Sequence, residues 1–219
     1  MRPAGYLGMW MAMMVPMMLP SLAPMLWRYR RSVREVEAMR LHGLTAVVGV
    51  GYYAVWAVTG VVAWAASAGI MVAETRWGMS ARGMPMAAGA VLLAAAALQF
   101  TSWKMRQLAL CRAWTGCGCA PARGALGALR HGIWSGVRCG LCCGNLMLAL
   151  LVAGMMNPVA MAAAGLAIGA ERLAPAPVRV ARVVGAVIVV AGVLTIARAW
   201  PQGAAAIGSP IPNEIRSGR

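Results

Sequence analysis

Residues 137–156 read VRCGLCCGNLMLALLVAGMM. The eighteen residues of this stretch that follow Arg138 carry no charge, and a helix needs about 20 predominantly apolar residues to cross a bilayer. The stretch therefore reads as a membrane-crossing helix, and the rest of the chain has to be read in that light. Its leading end carries three thiols within five residues, Cys139, Cys142 and Cys143. Positions three and four apart are neighbours on a helix, so the spacing predicts that all three share one face.

The composition agrees with that solvent. Of 219 residues, 61% are hydrophobic and 11% charged, where soluble domains carry about 25% charged residues. Abundant Gly and Ala suit helices that approach closely inside lipid. Around the fourth span, five further apolar segments can be marked, at about Tyr6–Trp27, Leu44–Ala73, Pro85–Trp103, Pro158–Ala170 and Val178–Ala199. The segment at Pro158 is short for a crossing and is a candidate re-entrant piece. Asn157-Pro158 ahead of it predicts a break, because Asn caps helices and Pro suits their first turn.

The basic residues alternate between the two sides. Residues 28–43, 104–138 and 172–182 together hold 14 of the 20 Lys and Arg. The positive-inside rule puts these stretches in the cytoplasm and both termini outside. The expected fold is thus all-α: a polytopic transmembrane helix bundle of about six spans, with a cytoplasmic loop between spans three and four. Residues 1–200 form one such domain, and the Gly/Pro-rich tail 201–219 is expected to be disordered. The first apolar run lacks a basic leader and a small-residue cleavage site, and is expected to stay as a span. The net charge of +15 is accounted for by loops facing anionic lipid, so no nucleic-acid partner is expected.

Sulfur dominates the candidate chemistry. Thiolates and thioethers are soft ligands suited to Cu(I), and thiolates also to zinc. Cys139, Cys142 and Cys143 mark the inner end of the fourth span, with Asn145 and Met147 one turn on. Met155, Met156 and Asn157 mark its outer end. In the first span, Met11, Met14, Met18 and Met25 form one helical stripe, and Met9, Met13 and Met17 another. Two stations follow, thiolates inside and thioethers outside. The plainer alternative is that Met fills gaps and free Cys acts as a small hydrophobe. Pro16, Pro20 and Pro24 recur every four residues, which predicts a kinked or partly unwound first span. Cys111, Cys117, Cys119 and His131 in the loop form a possible second ligand group, although a lone His in a basic loop is more often solvated. His42 is read as interfacial. Gln99 should bond across helices, and Glu171 should pair with Arg172, Arg179 or Arg182 at the interface. On the reducing side, the thiols should be free. No Ser/His/Asp set, phosphate loop or paired intramembrane carboxylates occur, so enzymatic activity and proton-driven pumping are not expected.

Four places together resemble the bacterial predicted metal-binding integral membrane proteins. They are Met17-Met18-Leu19-Pro20-Ser21, Gln99 through Lys104 with Cys111-Arg112, Cys139-x-x-Cys142-Cys143 with Leu146-Met147, and Gly154-Met155-Met156-Asn157 with Glu171-Arg172. The chain departs from that pattern at Gln107, at Gly144 and at Ser135-Gly136, where the family typically has a Cys, an aromatic and His-Gly. The resemblance implies a multi-pass inner-membrane protein with bound metal, copper above all. The expectation is a protein that binds Cu(I), with zinc as the alternative, and helps handle or insert it. A membrane or periplasmic metalloprotein would be its partner. A structural or assembly subunit, or a transporter, are the competing readings.

Overall fold

The structure is a computed structural model that describes residues 3–33, 37–77, 83–114, 124–154 and 157–207. Those residues form helices and no strand: α1 (Pro3–Ser32), α2 (Ala38–Trp77), α3 (Gly83–Gln99), α4 (Ser102–Trp114), α5 (Ala125–Ala153), α6 (Pro158–Leu173) and α7 (Pro177–Ile207). Four of them, α1, α2, α5 and α7, are long and apolar enough to cross a membrane. A fifth crossing arises if α3 and α4, bent by 63° at Phe100-Thr101, count as one broken span. The 16-residue α6 falls short of that length.

Contacts along the helices fix their directions. Trp10 near the start of α1 donates its indole N–H to the Trp56 carbonyl (2.9 Å), while Tyr53 donates to the carbonyl of Val15, further along α1 (3.3 Å), so α1 and α2 are antiparallel. Between α2 and α5 the order is parallel. Gly132 lies on the Val48 carbonyl and Gly136 on that of Tyr52. A methyl group built at Gly51 would sit 2.6 Å from the Leu129 carbonyl, so these backbones meet with no room for a side chain. Small residues at a helix–helix seam allow backbones to approach this closely. α7 runs antiparallel to α3: Gly185 abuts Phe100 and Gln99, and Gly89 abuts Ile196.

α6 returns the chain across the bundle despite its length. Gly154, at φ 97°, ends α5 in a backbone region that favours glycine. Asn157 then caps α6, its side chain accepting from the N–H groups of Val159 and Ala160, with Pro158 in the first turn. At its other end, Glu171 meets Gln99, at the far end of α3. α1, α3 and α6 therefore point one way and α2, α5 and α7 the other.

One expectation changes here. α1 is a continuous 30-residue helix rather than an unwound one. Pro16 and Pro20 lie on its exposed side, and the opposite stripe of Trp10, Met14, Met17, Met18, Ser21, Leu22, Met25 and Tyr29 is buried and holds the helix in register. Packing of that stripe offsets the lost backbone bonds. α7 continues past Pro201 to Ile207. Much of the outer surface is apolar: Val50, Val58 and Val62 on α2, and Val183, Val187 and Val190 on α7, are all exposed.

Candidate metal centre

Helix geometry divides the three thiols of α5. All are buried, but adjacent residues on a helix point about 100° apart. Cys139 and Cys143, four apart, turn into the main core. Cys142 turns the other way, into a small cluster with Leu108 and Cys111 of α4. The single thiol face expected from the spacing is therefore two faces.

The first sulfur group joins α1 to α5. Cys139 Sγ lies 3.9 Å from Met18 Sδ, and the Cys143 thiol sits beside that of Cys139 while donating to the Cys139 carbonyl (3.0 Å). Tyr52 on α2 donates its hydroxyl to Cys139 Sγ (3.1 Å). The glycine contacts of α5 with Val48 and Tyr52 bring that hydroxyl within reach. Met18 and Cys139 are both wholly buried. Met18 shares the level of Cys139. Met14 and Met17 pack in the same core, and Met17 also lines a groove against α6.

The second group joins α4, α5 and α6. The Cys111 and Cys142 thiols are side by side, and the Arg172 guanidinium donates to Cys111 Sγ. Arg172 thus faces a sulfur rather than Glu171.

Glu171 belongs to a buried polar ring that surrounds the back of Cys142. Its carboxylate accepts from the Gln99 amide and pairs with Lys104 Nζ at 2.8 Å. Asn145 donates to Gln99 and accepts from Lys104 (3.3 Å). The remaining Lys104 donor goes to the carbonyl of Cys142 (2.6 Å). An ammonium has three donors and no acceptor, and here all three are used. Gln99 thus bonds across helices as expected. Among the described residues, Glu171 pairs with Lys104 rather than with Arg172, Arg179 or Arg182. Lys104 had been counted among the loop charges. Its position in the first turn of α4 explains the difference. Thr101 Oγ1 accepts from the Lys104 N–H (3.3 Å), and the 63° bend there turns α4, with Lys104, towards α5 and α6.

The other candidates lie elsewhere. His131 is half-buried, its ring 5.5 Å from that of Tyr29, and it does not join Cys111. Asn157 is an exposed helix cap. Met155, Met156, Cys117 and Cys119 lie outside the described residues. Among the described residues, no three His, Cys, Asp or Glu side chains come together as a metal-binding group. The Cys139–Cys143–Met18 set instead includes a thioether, a ligand for soft ions.

No curated protein and no solved structure matches the chain. A family model described as "PpoB2: Copper chaperone" matches residues 7–195, which span both sulfur groups and the polar ring. The chain is a member of the PpoB2 copper chaperone family.

Proposed function

We propose that this copper chaperone is an integral membrane protein that carries Cu(I) on sulfur between helices. Cys111 and Cys142 take the ion first, and Cys139, Cys143 and Met18 hold it. The observation that carries the proposal is the 3.9 Å approach of Met18 Sδ to Cys139 Sγ, between two different helices and away from solvent. Soft sulfur donors select Cu(I) over harder ions. Tyr52 supplies the outer-shell hydrogen bond that metal ligands ordinarily receive. Cys142 and Cys143 are consecutive, so an ion moving from one group to the other stays on neighbouring residues of α5.

The copper is cargo rather than a resident cofactor. Transfer is ligand exchange, one copper–sulfur bond forming as another breaks, with copper remaining Cu(I). Met14, one turn along α1 from Met18, extends the soft path towards the other end of the bundle. There the ion is handed to a membrane or periplasmic metalloprotein.

The membrane placement rests on the apolar exterior of α2 and α7 and on four to five helices of crossing length. Three helices run each way, which leaves the start of α1 and the end of α7 at one end of the bundle. With the basic loops inside, both termini face outward from an inner membrane.

Anaerobic purification followed by elemental analysis tests the proposal. Wild-type protein should retain copper against a chromogenic Cu(I) chelator, and a Cys139→Ser/Cys143→Ser variant should lose it. Equal copper in both would defeat the assignment.

A further inference from the structure

Arg172 lies between the two sulfur groups. Its guanidinium donates to Cys111 Sγ, and its charge also bears on Cys139, Cys142 and Cys143. One half-buried cation on α6 therefore faces all four buried thiols of α4 and α5. Lys104 also acts on Cys142, and Arg138 on Cys111. The charge of Lys104 is offset by the Glu171 carboxylate against it. Arg172 is the cation that both sulfur groups share.

A thiol gives up its proton to become a metal ligand. An ion held by two thiolates then carries a net charge set by its own valence: one negative for a monovalent ion, none for a divalent one. Beside a fixed guanidinium the first complex is attracted and the second is not, and away from bulk water that difference grows. Softness of sulfur alone does not make this choice, because thiolates suit zinc as well as Cu(I). We infer that Arg172 is a specificity-determining residue, which selects a soft monovalent ion over a soft divalent one at both sulfur groups. The inference rests on the Cu(I) reading above and adds the charge of the ion as a second criterion to its softness.

The same cation serves transfer. Cys111 with Cys142, and Cys139 with Cys143, each supply two thiolates, and the thioether of Met18 adds no charge. An ion passing from the first pair to the second exchanges its two copper–thiolate bonds for two others. The protons displaced from Cys139 and Cys143 go to the vacated Cys111 and Cys142. Copper stays Cu(I) throughout, and the charge facing Arg172 is the same before and after. The step along α5 therefore needs no new counter-charge.

The test is a pair of anaerobic competition titrations on the full-length protein, one with Cu(I) and one with Zn(II), each against a chromogenic chelator. In Arg172→Gln the ratio of Cu(I) affinity to Zn(II) affinity should fall about tenfold, the order expected for removing one partly screened charge a few ångströms from the ion. The loss should fall on Cu(I), with Zn(II) affinity unchanged or higher. Arg172→Lys keeps the charge and should hold the ratio within about threefold of wild type. Arg172→Met, an apolar chain of similar reach, replaces the Gln variant if that one does not fold. An equal fall for both ions, or an unchanged ratio in the uncharged variant, overturns the assignment. So does an Arg172→Lys protein that melts near wild type but loses the ratio, because the guanidinium's hydrogen bond rather than its charge would then matter. A wild type that binds no Cu(I) overturns the Cu(I) reading itself. Wild-type Cu(I) binding with an unaltered ratio in the variants overturns the role of Arg172 alone.

Discussion

Lys104 Nζ lies 2.8 Å from Glu171 Oε2, and neither side chain is more than 2% exposed. This pair ties α4 to α6, and through Gln99 and Asn145 it also ties α3 and α5. Because Lys104 also grips the carbonyl of Cys142, the pair fixes the turn of α5 that carries the thiols.

Removing one partner of a buried ion pair strands the other and costs about 3–5 kcal/mol. Lys104→Met should therefore lower the thermal midpoint in detergent sharply. The double variant Lys104→Met/Glu171→Gln should recover much of that loss, because no unpaired charge remains. Tryptophan fluorescence during heating checks both. Additive losses in the double variant would show that the pair does not act as a unit.

The close approach of α2 and α5 makes a second prediction. A methyl group at Gly132 would fall on the Val48 carbonyl, and overpacking costs roughly 1–3 kcal/mol. Gly132→Ala should be destabilised by an amount in that range. Gly140→Ala on the same helix, where a methyl group would meet nothing within 4 Å, should be neutral or slightly stabilised. Parallel melting curves of the two variants decide the matter.

Met18 separates packing from binding. Met→Leu is close to volume-conserving and costs less than about 1.5 kcal/mol, so Met18→Leu should fold and melt near wild type. Its Cu(I) affinity should fall about tenfold, roughly 1.4 kcal/mol. Met14→Leu, whose sulfur is not against Cys139, should leave it unchanged. Competition titrations against a Cu(I) chelator measure both.

Much of the fold was legible because long apolar runs and capping residues impose simple demands. Apolar runs of crossing length marked α1, α2, α5 and α7, and Asn157-Pro158 marked the start of α6 through capping chemistry alone. The site was legible in part. Cys139, Cys143 and Met18, all picked out as soft ligands, lie together in the core, and Gln99 has partners across the bundle. Lys104 was missed because a basic residue at the end of an apolar run looks like a loop charge. Only the bend at Phe100-Thr101 reveals that it points inward. A signal did exist: Lys104 and Glu171 are the charges that directly follow the apolar runs of α3 and α6. The split between Cys142 and Cys143 could have been drawn from helical geometry, since neighbours in sequence diverge by about 100°. Which helix each would meet depended on packing that local sequence does not encode.

Apo and copper-loaded protein should also differ in stability. A ligand that binds only the folded state raises stability by mass action, about 2.7 kcal/mol at a hundredfold excess over its Kd. Anaerobic Cu(I) should raise the thermal midpoint of the wild type. The Cys139→Ser/Cys143→Ser variant should show no such rise.

The most direct measurement is X-ray absorption at the copper edge of the anaerobically loaded protein. Coordination by Cys139, Cys143 and Met18 predicts a first shell of sulfur alone, with one sulfur lost in Met18→Leu. A shell of nitrogen and oxygen, unaltered in Met18→Leu and in the double serine variant, would contradict it.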